Sequence, residues 1–292
     1  MATGGDDGMV RLWDLQSHQL IARIELPGRI RALTFNPNGT ILVAGLHTGY
    51  CVILDVASIQ ATGTGRISSA QQSILSESLS RFMIHVCGDW IISLSFSLDG
   101  SKLAVGSYNG TLYILKPSNG YQRLYVLKGH HGNGGVTHID FSLDESGKYL
   151  ISNSLPNEEL YFWDMKKGGM KMNARECGDI SWANHSCVFG WYTAGMWQLS
   201  GNNHHTYDSP EISAVAKSTR GTPSLIAGDE AGTLRLYQYP CLLSNHQTLY
   251  QEYIVHTSSI TNVQFTKDSK FFITTAGADS SVLQFDYSSK AR

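Results

Sequence analysis

Ile139-Asp140-Phe141 runs through a polar turn at Asp144-Glu145-Ser146-Gly147 into Tyr149-Leu150-Ile151-Ser152-Asn153-Ser154, and after a second turn into Leu160-Tyr161-Phe162-Trp163-Asp164. Short apolar runs punctuated by turn formers read as three successive strands. The opening element recurs along the chain as Leu33-Thr34-Phe35, Leu94-Ser95-Phe96, Ile180-Ser181-Trp182 and Val263-Gln264-Phe265. Turns such as Asn36-Pro37-Asn38-Gly39 and Ser97-Leu98-Asp99-Gly100 follow, then a strand of small residues and a strand ending on a large apolar one. A single unit of this kind cannot bury its apolar faces, so the units must stack on one another.

The large residue of the third strand makes the period measurable. Trp13, Leu54, Leu115, Trp163, Trp197, Tyr237 and Phe285 are separated by 41, 61, 48, 34, 40 and 48 residues, scattered around the ~40–45 of a four-stranded propeller blade. Asp follows at Asp14, Asp55, Asp164 and Asp286, which leaves Trp13-Asp14 and Trp163-Asp164 as plain Trp-Asp pairs among degenerate copies. The pattern predicts an all-β chain, a WD-repeat β-propeller of seven blade units, with residues 1–292 forming one propeller domain. The first and last units are expected to be incomplete. Ala2-Thr3-Gly4-Gly5 matches a second strand, so the first unit lacks its inner strand, and too little chain follows Tyr287 for an outer one. The chain therefore reads as a fragment of a longer polypeptide. The 61-residue interval carries an insertion at 57–80, rich in Ser, Thr, Gln and Gly, which reads as a surface loop with a short helix at 70–79 as the alternative.

Composition bounds the functions available. A formal net charge of −2 supplies no electrostatic footprint for duplex nucleic acid, so no nucleic-acid partner is expected. No stretch is long and apolar enough to cross a bilayer and the N-terminus is not laid out as a signal peptide, so no membrane partner is expected either. Cys51, Cys87, Cys177, Cys187 and Cys241 contain no C-x-x-C pair and read as buried thiols of an intracellular protein.

Several blocks together are more discriminating than a Trp-Asp pair. Tyr149 to Ser154 leads to Leu160-Tyr161-Phe162-Trp163-Asp164; Asp179-Ile180-Ser181-Trp182 precedes Cys187-Val188-Phe189-Gly190 and Gly195-Met196-Trp197; Leu236-Tyr237-Gln238-Tyr239-Pro240-Cys241 and His256 to Val263 follow. In order and spacing these stretches resemble the C-terminal propeller of the echinoderm microtubule-associated-protein-like (EMAP-like) family, over most of Met1 to Tyr287. The resemblance implies an upstream propeller of the same polypeptide packed beside this one, a blade completed from discontinuous sequence, binding to tubulin or microtubules, and a cytoplasmic, cytoskeletal location. The 57–80 insertion and the loop at Gly129 to Gly135 depart from the family pattern and bear on partner choice more than on fold.

An enzyme is not expected. The chain contains no H-E-x-x-H, no Gly-rich phosphate loop and no G-x-S-x-G elbow. His130 and His256 precede inner strands, where WD units place a histidine that bonds a turn Asp and the third-strand Trp, so they read as structural; Phe285 has no indole N–H and leaves the last network incomplete. His204-His205 has no further metal ligands beside it in sequence, and neither metal nor cofactor is expected. Asp7, Asn109, Asn157 and Asp279 lie six residues before a third-strand residue and read as turn formers; Thr48, Trp191 and Ala231 at that offset predict looser turns. Of Trp182, Trp191 and Trp197, at least two are expected to be core.

A non-catalytic protein-binding scaffold remains, with its surface on the loops of a rigid frame. The candidate face comprises His47, Tyr108 and Glu230, just before the turn between second and third strands, and Arg29, Arg31, Trp90 and Asn133 near the inner-strand entrances. Arg29 and Arg31 are suited to acidic side chains of a partner, tubulin among them. The competing reading is a general WD-repeat adaptor that binds a peptide or signalling protein.

Overall fold

The computed structural model describes the chain except for residues 64–81, 131–134, 145, 156, 198–210, 220–222, 243–247 and 288–292. It divides into two compact units, Met1–Ala183 and Asn184–Arg292. The first holds four antiparallel sheets: β1 (Ala2–Gly4), β2 (Met9–Trp13) and β3 (Leu20–Glu25); β4 (Ile30–Phe35), β5 (Ile41–Leu46), β6 (Tyr50–Asp55) and β7 (Met83–His85); β8 (Ile91–Phe96), β9 (Leu103–Ser107), β10 (Thr111–Lys116) and β11 (Gln122–Lys128); and β12 (His138–Phe141), β13 (Tyr149–Ser154), β14 (Glu159–Asp164) and β15 (Met170–Lys171). The second holds β16 (Ile212–Lys217), β17 (Ser224–Asp229), β18 (Thr233–Gln238) and β19 (Tyr250–Ile254), then β20 (Ile260–Phe265), β21 (Phe271–Ala276) and β22 (Val282–Asp286).

Each sheet is a meander whose strands pair in chain order, the blade of a propeller. The first sheet lacks an inner strand and the last an outer strand among the described residues, as the repeat predicts. The blade count differs: among the described residues six sheets stand where seven units are expected. Trp197, expected to end a third strand, lies in a 3-10 turn at Ala194–Trp197. The Ile180-Ser181-Trp182 triad makes only an isolated antiparallel bridge, Trp182 to Ser142, supported by Leu143 N–H to Ser181 O at 2.7 Å and Ala183 N–H to Phe141 O at 2.9 Å. Gly190 and Gly195 interrupt the apolar runs beyond it. The Thr193 hydroxyl and N–H close a turn on Gly190 O, the Trp197 indole N–H bonds Val188 O at 3.0 Å, and Gly195 N–H and Tyr192 O bond the backbone of Cys241 at 2.8 and 2.9 Å, so this segment meets its polar groups through turns and one short pairing instead of a strand ladder. Trp182 is fully buried and Trp197 partly so, while Trp191 is 52% exposed, so only one of the three tryptophans is core.

What stacks one sheet on the next is visible nine residues before each third-strand residue. Gly4, Gly45, Gly106 and Gly228 hold that position before Trp13, Leu54, Leu115 and Tyr237. A β-carbon on Gly45 would lie 2.4 Å from Ile91 Cγ2, and one on Gly228 would lie 2.6 Å from Ile260 Cγ2. The β-branched residue opening the next inner strand thus packs directly on second-strand backbone. Gly4 meets Ile30 in the same way, whereas Gly106 is covered by the Ser93 hydroxyl and by Val136, which lies ahead of β12. In the β12–β15 and β20–β22 sheets the position is Ser154 and Ala276.

The segment read as an insertion begins as a helix, α1 (Val56–Thr62), and not as loop. The Asp55 carboxylate caps it by accepting from Ser58 N–H at 2.8 Å, and Ile59 is buried among β3 and β6 residues. The rest of the proposed loop, including the alternative helix at 70–79, lies outside the described residues.

Trp163, 2% exposed, donates its indole N–H to Ser152 Oγ at 2.9 Å, and His130 Nε2 meets the same hydroxyl at 2.8 Å. The acid facing His130 Nδ1 is Glu159 at 3.3 Å, two residues beyond the expected Asn157. In the last sheet His256 bonds Thr274 Oγ1 at 2.8 Å and Asp279 at 2.9 Å. Phe285, having no N–H to give, stacks on Phe272 with centroids 4.9 Å apart. In the β16–β19 sheet the turn expected to be loose at Ala231 is tight. Asp229, two residues earlier, accepts both Ala231 and Thr233 N–H at 2.9 Å, and its other oxygen pairs with Arg235 at 3.0 Å.

Candidate functional site

The candidate face grows from a backbone pairing repeated at one end of the sheets. The residue before an inner strand joins the residue after the second strand: His47 N–H donates to Arg29 O at 3.0 Å, Tyr108 N–H to Trp90 O at 2.9 Å, and Glu230 N–H to Glu211 O at 3.0 Å. His47 Nδ1 also accepts Arg29 N–H at 3.1 Å, so the Arg29–His47 pair is closed in both directions. These bonds fix where the side chains leave the sheet and let loop residues act as a rigid surface.

The inner strands carry a β-bulge directly after this pair. In β4 the register passes from Ile30 opposite Leu46 to Ala32 opposite Gly45, which leaves Arg31 as the extra residue. The same shift occurs at Ile92 in β8, Ser213 in β16 and Thr261 in β20. A bulge re-aims the side chain it releases. Ser213 uses this to bond Ile260 O, and Thr261 to bond Thr275 O. Arg31 instead lays its guanidinium over the Trp90 ring, 5.0 Å from the centroid, and pairs its Nη1 with Asp6 Oδ1 at 3.0 Å. Trp90 in turn packs on Tyr108, centroids 5.3 Å apart and tilted 36°.

Five of the predicted residues, Arg29, Arg31, His47, Trp90 and Tyr108, therefore lie on the first unit along the ends of its second and third sheets. Trp90 is 42% and Tyr108 39% exposed, although both belong to residue types that proteins mostly bury. Glu230 belongs to the second unit, at the equivalent position after β17. Asn133 lies outside the described residues.

Asp6 was missed, although its signal is in the sequence. It follows Gly4 by two, as His47 follows Gly45, Tyr108 follows Gly106 and Glu230 follows Gly228. The other acids of this edge are engaged: Asp7 pairs with Arg11 at 2.6 Å, and Asp89 Oδ1 accepts Trp90 N–H at 2.7 Å.

Among the described residues no three His, Cys, Asp or Glu side chains gather to hold a metal ion. His204 and His205 lie outside them. The five thiols are free and buried, and burial pushes that of Cys51 far up. Backbone donation from Ser281 N–H, with the hydroxyl of Ser281 and the ring of His256, holds the Asp279 carboxyl down to about 2. No helix among the described residues is long and apolar enough to cross a membrane.

Comparison with known proteins agrees with this architecture. The family described as Echinoderm microtubule-associated protein second beta-propeller matches residues 1–287. The human Echinoderm microtubule-associated protein-like 4 is 31% identical over 98% of this chain and 26% of its own length. The rat Echinoderm microtubule-associated protein-like 2 is 31% identical over 96% of this chain and 39% of its own. The chain thus spans roughly a quarter to two fifths of the curated relatives it matches. A chain in the solved structure titled "Crystal Structure of Mitotic Checkpoint Complex" superposes with a TM-score of 0.55 at 14% identity, covering 98% of this chain and 72% of that one, which supports the β-propeller fold alone. With its Trp-anchored blades, its small second-strand residues and a family match from residue 1 to residue 287, the chain belongs to the Echinoderm microtubule-associated protein second β-propeller family.

Proposed function

We propose that this chain is a non-catalytic scaffold that binds tubulin or microtubules and works in the cytoplasm on the cytoskeleton, beside an upstream propeller of the same polypeptide. The observation that carries this reading is the family match over residues 1–287, to relatives whose names place them with microtubules. The face described above suits the role: a rigid, partly aromatic edge with two arginines, Arg29 and Arg31, and a separate acidic position at Glu230. Asn133 is assigned to the same surface on its sequence position.

Co-sedimentation with polymerised microtubules and pull-down of soluble tubulin test the reading, using the chain alone and joined to its upstream region. Binding by the longer protein is expected. Charge reversal at Arg29 and Arg31 should weaken it, and the weakening should shrink as salt screens exposed charges beyond ~8–10 Å. A folded longer protein that binds neither form of tubulin would leave the general adaptor reading in its place.

A further inference from the structure

We infer that the Arg31–Trp90–Tyr108 edge of the first unit docks an acidic peptide segment, and that Asp6 holds Arg31 in its absence as an internal competitor. The inference rests on the scaffold reading and narrows it to a surface and a ligand chemistry.

Three relationships carry it. The Trp90 and Tyr108 rings form an exposed shelf whose backbones are tied by the Tyr108 N–H to Trp90 O bond, so little conformational freedom remains to be lost when a peptide covers them. Large amphipathic rings beside an arginine are the composition that dominates binding energy at protein interfaces. Second, the β4 bulge delivers the Arg31 guanidinium flat against the Trp90 face, which orients its nitrogens toward a carboxylate. Third, a carboxylate is already seated there. Asp6 Oδ1 meets Arg31 Nη1 at 3.0 Å, yet the Asp6 side chain is 60% exposed. The Asp6 side of the pair is open to water and only weakly held, so a partner's carboxylate that also covers the rings can replace it.

Arg29, exposed on the same edge, makes no ion pair among the described residues and adds a second positive charge. Nucleic acid would present anionic groups and stacking bases to the same side chains. Two arginines flanked by Asp6, Asp7 and Asp89, on a chain of net charge −2, do not supply the run of cations that a phosphate backbone requires. An acidic peptide brings fewer and separable charges together with apolar side chains for the shelf.

The test is fluorescence anisotropy of a fluorescein-labelled, glutamate-rich peptide containing aromatic residues, titrated with the whole chain. Saturable binding is expected, weakened about tenfold by Arg31→Gln or by Trp90→Ala. Asp6→Asn should tighten it ~2- to 5-fold by removing the competitor. A lysine-rich peptide and oligothymidylate should not compete. Absence of saturable binding, affinity unmoved by both Arg31→Gln and Trp90→Ala, or tighter capture of oligothymidylate would each overturn the proposal. Should Arg31→Gln fail to fold by circular dichroism, the exposed Asp6→Asn change decides, and unaltered affinity overturns the competitor role. Tubulin sedimentation run in parallel separates the readings: tubulin bound but peptide ignored removes this surface and leaves the scaffold reading standing.

Discussion

His130 and Trp163 meet on one hydroxyl: the indole N–H donates to Ser152 Oγ at 2.9 Å while His130 Nε2 lies 2.8 Å from the same oxygen. All three groups are buried, so each loses its only route to water on folding and depends on the others. Trp163→Ala should cost ~3–5 kcal/mol, through lost packing and an exposed cavity. Ser152→Ala, which leaves the indole N–H and the imidazole facing each other across a gap, should cost ~1–3 kcal/mol. Urea unfolding midpoints at constant slope measure both; Trp163→Ala melting like wild type would show that the third-strand register is wrong.

Gly228→Ala places a methyl group where Ile260 already packs, and Gly45→Ala does the same against Ile91. Overpacking of this kind should destabilise by ~1–3 kcal/mol. Pairing Gly45→Ala with Ile91→Ala, which removes the Cγ2 methyl in conflict, should cost less than the sum of the two single changes. A double-mutant cycle by chemical denaturation reads the coupling, and simple additivity would mean the two residues do not touch.

Arg235→Ala should be among the more damaging changes in the second unit, at ~3 kcal/mol. It strands the buried Asp229 carboxylate, which Arg235 meets at 3.0 Å, and releases Glu252 of β19, held at 2.8 Å. Arg235→Lys should recover only part of this, since one ammonium does not bridge both acids in the planar geometry of a guanidinium. Thermal melts of the two variants, with Glu252→Gln as a comparison, separate the buried contact from the exposed one.

Acid should weaken the second unit through His185. Its ring is buried against Tyr192 and Tyr239, with the Lys217 ammonium nearby, and burial followed by that positive charge pushes the imidazole down to about 3. The unfolded chain takes up a proton near pH 6.5 whereas the folded one resists until about 3. Between these values the unfolded state binds more protons, so the stability present above pH 6.5 is lost as pH falls. The loss approaches about 2 kcal/mol at pH 5. His185→Phe should flatten this dependence when unfolding midpoints at pH 7 and pH 5 are compared; an unchanged pH slope would remove His185 as its source.

What was legible in the sequence followed from strong local signals. The triads ending β4, β8, β12 and β20, and the third-strand residues Trp13, Leu54, Leu115, Trp163, Tyr237 and Phe285, announce themselves through alternation and large apolar side chains bounded by turns. The miscounted unit shows the limit of that signal. Ile180-Ser181-Trp182 has the same apolar pattern, but strand formation depends on uninterrupted partners, and Gly190 and Gly195 break the runs that would have paired with it. The inner strand β16 has no aromatic at its end and stands out less. At the site, residue offsets located the edge because backbone pairing repeats from blade to blade. They did not reveal that Arg31 sits on a bulge, since a bulge is a property of the paired register and leaves no mark in one strand read alone. Asp229 was passed over for a related reason: a turn can be capped from more than one offset, and the fixed six-residue rule looked only at Ala231.

The backbone anchoring on either side of residues 64–81 bears on which substitutions this junction accepts. Gly63 O accepts Arg23 N–H at 3.2 Å, fastening the helix exit to β3, while Phe82 O accepts Ile53 N–H at 2.9 Å, fastening the return to β6. Both ends are fixed by main-chain bonds that do not depend on which residues lie between. Substitution of Arg23 or of the exposed Phe82 therefore leaves both fastenings in place. The junction is held by backbone alone, and its surface side chains are free to vary while β3 and β6 keep their fastenings.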